Sequence, residues 1–343
     1  MSDVTTADQG EKPGAERASQ SRSPRLSGSF VRNIGLVLAL IALCIVGVAT
    51  TGERFANTDN LLTILRLASA MGVLAIGMTF VITAGGIDLS VGAVMGLATV
   101  WATTLATQTM AQNSHWTVMV FTALAVGLIA GVVNGVLIAY GKVVAFIATL
   151  AMMVAARGLA EIISNRQTQI ITVNEFKEAL RGSFLGVPNL VWLLIVVSVL
   201  GWILLNRTTF GRRTVAVGGN PEAARLAGIN VKRHLVYVYA LCGLTAGIAA
   251  VMMLGRTNSG SSTTGYLYEL DAIAAVVVGG TLLVGGRGTI VGTLLGVLLF
   301  TILTNVFVQN NMSTSAQAVV KGAIIVIAVL LQQRFAQHGK AST

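Results

Sequence analysis

Apolar residues in this chain run in long unbroken stretches instead of recurring at helical or strand spacing. Ten stretches stand out: 31–50, 61–84, 89–107, 116–140, 143–163, 190–206, 235–254, 272–284, 289–308 and 316–331. A helix that crosses a bilayer needs about 20 apolar residues, so the pattern predicts membrane-spanning helices. The eighth stretch is short. The second and third are separated only by Gly85-Gly86-Ile87-Asp88, which predicts a re-entrant or broken element at 84–90. The first 29 residues are polar and rich in Ser, Ala, Gly and charge, which predicts a disordered tail at 1–29. Residues 30–334 then form the membrane domain and 335–343 a second tail. The expected fold class is an all-α polytopic membrane protein of about ten transmembrane helices.

Composition agrees. The chain is 54% hydrophobic and 10% charged, with a mean hydropathy of +0.79, whereas a soluble domain carries about a quarter charged residues. The two cysteines, Cys44 and Cys242, sit inside apolar runs, which speaks against a disulfide framework. His115, His234 and His338 are scattered, so no metal or catalytic constellation forms.

Net charge is +10, and its distribution gives an orientation. With ten spans and a cytoplasmic N-terminus, fifteen Lys/Arg fall in inside segments: Lys12, Arg17, Arg22, Arg25, Arg32, Lys142, six in the 207–234 loop, Arg287, Arg334 and Lys340. Five fall outside: Arg54, Arg166, Lys177, Arg181 and Arg256. The positive-inside rule therefore predicts both termini in the cytoplasm. A charge confined to the loops and tail of one side is not a nucleic-acid footprint. The expected location is a membrane, crossed many times.

The loop 207–234 carries Arg207, Arg212, Arg213, Arg225, Lys232 and Arg233 against one carboxylate, Glu222. Within it lies a short helix with start and stop signals. Asn220 caps, Pro221 suits the first helical position, Glu222 sits in the first turn, and Gly228 ends the run Glu222-Ala223-Ala224-Arg225-Leu226-Ala227. Such a helix is suited to docking; the plainer reading is a solvated loop that only sets topology.

The segment Thr83 to Gly92 places Asp88 between apolar spans, where a carboxylate is expensive without donors or water. Two roles are open to it: a cap on the amides of Ser90 and Val91, or a contact with a transported solute. Gly85 and Gly86 permit a non-helical turn. The spacing Gly85-Gly86-x4-Val91-Gly92-x3-Gly96 recurs 200 residues later as Gly285-Gly286-x4-Val291-Gly292-x3-Gly296. With the orientation above the two copies point the same way, as a parallel repeat; the alternative is a chance match in a chain with 38 glycines. Gly86 and Gly286 are expected to be the turn glycines with positive φ.

Three segments resemble a known family: Ala84 to Gly92, Gly211 through Asn230, and Glu269 to Thr281. They look like the permease subunits of bacterial ribose-type ABC importers, and the resemblance runs from about Leu36 to Leu331. It implies import of a monosaccharide such as ribose, xylose, arabinose or galactose by alternating access. It also implies three partners: a cytoplasmic ATPase subunit, an extracytoplasmic sugar-binding protein, and a second permease copy or sister permease. The helix 221–227 would be the coupling helix, with Leu226 and the alanines seated in an ATPase groove and Arg225 at its rim. The chain has no G-x-x-x-x-G-K-[ST] motif, since Gly141-Lys142 and Gly339-Lys340 lack its flanks. It should bind no cofactor itself and leave ATP and Mg to the partner. That makes it a transport subunit and not an enzyme.

The remaining polar residues in apolar surroundings have two readings each. Glu269 and Asp271 either form an extracytoplasmic mouth or cap the eighth span. Asn134 and Asn305 either line the pathway or bond between helices. Lys321 either snorkels or pairs with an acid such as Glu161. Arg157 and Glu161 have the i, i+4 spacing of a helical pair. The rival function is an ion-driven secondary transporter using Asp88 or Lys321, and the basic capped loop argues against it.

Overall fold

The computed structural model describes residues 28–324 and 326. The chain begins with α1 (Gly28–Thr51) and a 3-10 turn, Gly52–Arg54. Next come α2 (Thr58–Thr83), α3 (Val91–Ala102), α4 (Leu105–Asn113), α5 (Thr117–Ala139) and α6 (Ala145–Ser164). A strand β1 (Gln169–Ile170), helix α7 (Asn174–Arg181) and the hairpin β2 (Ser183–Phe184) and β3 (Val187–Pro188) lead to α8 (Asn189–Arg207). The loop helices α9 (Thr209–Gly219) and α10 (Pro221–Leu226) precede α11 (Val231–Thr257), β4 (Ser259–Gly260), α12 (Tyr268–Val278) and α13 (Ile290–Gln309). A last helix, α14, occupies 314–324.

Among the described residues seven helices are long and apolar enough to cross a membrane: α1, extended through its 3-10 turn to Arg54, and α2, α5, α6, α8, α11 and α13. The other three expected spans differ in form. The third is broken into α3, of 12 residues, and the polar α4. The eighth is α12, of 11 residues, preceded by an irregular segment. Of the tenth, α14 at 314–324 is the part within the described residues. The tail expected at 335–343 also lies outside them, as does most of that expected at 1–29, although 28 and 29 already belong to α1. The fold is an all-α polytopic membrane protein with, among the described residues, two short two-stranded pairings, β1 with β4 and β2 with β3.

Local chemistry sets the helix ends. Asn57 caps α2 by accepting from the Asp59 amide, and Asn230 caps α11 by accepting from the Arg233 amide. Asn165 and Asn258 stop α6 and α11 in the left-handed conformation that asparagine tolerates. The core forms where α2, α3, α11 and α13 meet, and most of their residues are buried, whereas α1 and α6 keep broad apolar faces exposed. Helices α5 and α11 cross with almost no side chain between them. A Cβ on Gly131 would come within 3.0 Å of the Gly243 Cα, the small-residue packing that drives helix association in lipid.

Sidedness follows from what meets at each end. The β1–β4 pairing joins the end of α6 to the end of α11, and the Arg54 carbonyl accepts from Gln309 at the end of α13. On the other side, the Lys232 ammonium lies over the Tyr140 ring, 5.8 Å from its centre. The two ends are called the hairpin side and the loop side.

Candidate functional site

The loop between α8 and α11 folds as its sequence signals dictate. The Asn220 side chain accepts from the Ala223 amide at 3.0 Å, Pro221 holds the first helical position, and Gly228 takes φ +84°. Glu222 and Arg225 pair at 2.9 Å, and both are largely exposed. Every residue of α10 but Ala224 is exposed, as is Ala227 at its C-cap, and Leu226 is 78% exposed. Ala224 is buried within this chain, so it anchors α10 to the rest of the loop and does not face outward. Ala223 and Ala227 are exposed, whereas Ala224, expected beside them in a partner's groove, is packed inside this chain. Thr214, on α9, is fully buried and shares a 2.9 Å hydrogen bond with His234.

Behind α10 three glycine pairs meet. Gly218-Gly219 ends α9 directly before Asn220. A Cβ on Gly285 would lie 2.6 Å from the Gly218 carbonyl oxygen and 2.9 Å from the Gly85 Cα. The Gly286 amide donates to the Thr83 carbonyl at 2.9 Å. The two halves of the 200-residue echo therefore touch each other, and the loop touches both. Each half turns on positive-φ glycine and continues into a helix whose two glycines face another backbone. Gly92 and Gly96 of α3 lie against 262–269, and Gly292 and Gly296 of α13 against Gly279 and Ala275. The turns share one side and the helices leave in the same sense, as a parallel repeat requires.

The turn glycine of the first copy is not the expected one. Gly85 has φ +83° and Gly86 has no positive φ. A Cβ on Gly86 would strike the hydroxyl of Tyr239, a fully buried residue of α11. In the second copy both Gly285 (φ +84°) and Gly286 (φ +78°) are left-handed, as expected for Gly286.

Beyond the Gly85 turn the chain carries a buried polar string. Asp88 accepts from the Ser90 amide at 2.9 Å and its hydroxyl at 2.6 Å, and Asn134 of α5 donates to the Ser90 hydroxyl at 2.9 Å. The Val91 amide plays no part, and the N-cap position of α3 is Ser90, so Asp88 holds the turn before the helix through Ser90 alone. Asp88, Ser90 and Asn134 are each about 1% exposed. Asn305 is not with them. It exchanges two hydrogen bonds with Asn60 of α2, at 2.8 and 3.2 Å, near the hairpin side. Its role is the interhelical one.

Glu269 and Asp271 both lie in the first turn of α12. The segment after β4 folds back along α3: Gly260 lies on Thr99 and Thr103, and Glu269 lies on Gly92. Seven residues of α3 separate these contacts, so Glu269 sits about 10 Å inward of the β1–β4 pairing. Its carboxylate is buried, and Oε2 has no hydrogen-bond partner among the described residues. Arg157 of α6 donates to the carbonyls of Ser262 and Thr264, and this pins the returning segment. Glu161 pairs instead with Arg166, at 2.9 Å. Lys321 of α14 pairs with Asp271 at 3.0 Å, not with Glu161. No cluster of His, Cys, Asp or Glu among the described residues could hold a metal.

Sequence reasoning passed over Tyr239, Arg157 as a clamp on 262–264, and the Gly218-Gly219 pair. The available signals were the glycine pair standing directly before Asn220-Pro221 and the i, i+4 spacing of Gly92 and Gly96.

Over residues 60–329 the chain matches the family described as "branched-chain amino acid transport system / permease component". The chain belongs to this family. Among its relatives, the ribose import permease protein RbsC of Bacillus subtilis strain 168 is 42% identical over 306 residues, covering 89% of this chain and 94% of the relative. RbsC of Escherichia coli K12 is 41% identical over 302 residues, covering 87% and 92%. The L-arabinose ABC transporter permease protein AraH of Azospirillum brasilense is 37% identical over 308 residues, covering 89% and 88%. No solved structure matches the chain. The chain is thus a multi-pass permease of the inner membrane, with a transport role.

Proposed function

We propose that this permease imports a monosaccharide, with ribose the first candidate, and is powered by a separate ATPase docked on α10. The reading of the substrate rests on one observation above others: identity of 41–42% to ribose import permeases along about nine-tenths of both chains. The family's description names branched-chain amino acids instead. Two buried acceptors, Asn134 Oδ1 and Glu269 Oε2, have no hydrogen-bond partner among the described residues. Unpaired acceptors suit a ligand rich in hydroxyl donors better than an aliphatic side chain.

The coupling route we assign is short. The ATPase would grip Ala223, Leu226 and Ala227, with the Glu222–Arg225 pair at the rim, on the cytoplasmic side. Displacement of α10 pulls Gly218-Gly219, which abuts the turns at Gly85 and Gly285. The first turn carries Asp88 and Ser90, hence Asn134; the second carries α13. Backbones in contact without side chains transmit a displacement directly, because no flexible rotamer absorbs it. A second permease copy or a sister subunit completes the pore, and an extracytoplasmic binding protein delivers the sugar to the hairpin side.

The test of substrate is uptake of labelled ribose by cells expressing the chain with an ATPase subunit and a sugar-binding protein, with unlabelled arabinose, galactose and leucine as competitors. Ribose uptake insensitive to leucine is the expected result. Leucine uptake without sugar uptake would overturn the reading.

A further inference from the structure

A cavity of about 220 Å³ on the hairpin side is lined by three arginines from three elements: Arg66 of α2, Arg181 of α7 and Arg256 of α11. Its remaining wall is apolar, with Leu180, Pro188 and Leu190. Among the described residues none of the three arginines takes part in an ion pair. Close approach creates the arrangement: a Cβ on Gly255 would lie 2.7 Å from the Leu180 Cβ, so glycine there lets α7 settle on α11 and brings Arg181 beside Arg256. Three like charges around one small cavity repel each other, and an anion in their midst reverses the sign of the interaction.

We propose that this cavity binds the phosphate of an anionic phospholipid from the leaflet on the hairpin side. The surroundings favour a lipid over a soluble anion. Arg66 is the ninth residue of α2, about 12 Å along the helix from its start. From there a long guanidinium side chain reaches back to the headgroup layer. The neighbouring hairpin β2–β3 is built for the same layer. Phe184 and Leu185 at its tip are 62% and 78% exposed. Trp192 donates its indole N–H to the Phe184 carbonyl at 3.1 Å and meets the Phe184 ring edge-on. Aromatic rings with one polar end mark the membrane–water interface. Arginine suits the ligand, since its planar fork matches phosphate oxygens two at a time. Leu180 and Leu190 offer the glycerol and upper acyl chain an apolar wall.

The test is native mass spectrometry of the purified full chain in detergent, titrated with phosphatidylglycerol, with phosphatidylcholine and with sodium phosphate. Phosphatidylglycerol should bind about tenfold more tightly than phosphatidylcholine. The triple variant R66Q/R181Q/R256Q should lose that preference, and each single variant about threefold of it, so the singles carry the test if the triple does not fold. The control R54Q/R166Q, also on the hairpin side, should keep it. Three results would overturn the proposal: equal binding of the two lipids, undiminished phosphatidylglycerol binding in the arginine variants, or displacement of the lipid by millimolar phosphate, which would mark a free-anion site. Loss of stimulation by the sugar-binding protein with lipid binding intact would assign the arginines to that protein partner instead.

Discussion

At the scale of single residues, the buried turn before α3 makes the sharpest statement. Gly85 needs its positive φ, whereas Gly86 needs room. Gly85→Ala should therefore lower stability by about 1 kcal/mol through backbone strain alone. Gly86→Ala should be worse, because its methyl meets the hydroxyl of a tyrosine that is itself fully buried. The hydroxyl oxygen is the obstacle, and the next ring atom, Cζ, lies 3.3 Å away. Tyr239→Phe should thus restore much of the transport lost in Gly86→Ala while leaving Gly85→Ala unrescued. Uptake by the two double variants decides it: rescue of both, or of neither, would show that the Tyr239 hydroxyl is not what excludes a side chain at 86.

At the scale of elements, α10 and α14 carry the next two predictions. Leu226→Asp changes only the outward face of α10, so membrane insertion and thermal stability should stay normal while ATPase association falls by an order of magnitude or more. Ala224→Asp should instead destabilise the loop itself, because that methyl is packed inside the chain. Co-purification of the ATPase with each variant, beside a melting curve, separates the two effects. Full association in Leu226→Asp would move the docking surface elsewhere. The Lys321–Asp271 pair is about four-fifths buried. Removing one member strands a charge, so Lys321→Met should cost roughly 3 kcal/mol, and Lys321→Met with Asp271→Asn less than that. Melting temperatures in one detergent check the order; a double variant less stable than the single would contradict it.

These elements also show what a reader of the sequence can and cannot extract. The start and stop of α10 are local, written in Asn220, Pro221 and Gly228, and they were legible. So were the long apolar spans and the 200-residue echo. What stayed hidden depends on distant contacts. The stretch 258–267 is rich in Ser, Thr and Gly and reads as an exposed loop. Only its packing on Gly92 and Gly96 carries Glu269 inward, and only α14, 50 residues further on, supplies the partner of Asp271. Thr214 looks like a loop residue and is sealed by His234. Gly85 and Gly86 are indistinguishable until Tyr239 arrives from α11.

At the scale of the whole molecule, sidedness and energy source remain to be matched to the fold. Ser183 and Ala223 are exposed on opposite sides, which makes them better reporters than the buried Thr214. With Cys44 replaced by Ser, a cysteine at 183 should react with an impermeant thiol reagent in intact cells, and one at 223 only after the membrane is opened. The reverse pattern would invert the orientation and place α10 away from any cytoplasmic ATPase. The most direct measurement is sugar uptake into proteoliposomes holding the chain with its ATPase and binding protein. Ribose should accumulate only with ATP inside the compartment that α10 faces, it should be unaffected by an ionophore, and it should disappear in Leu226→Asp. Uptake that persists without ATP and collapses with the ionophore would contradict the assignment of this chain as the membrane half of an ATP-driven sugar importer.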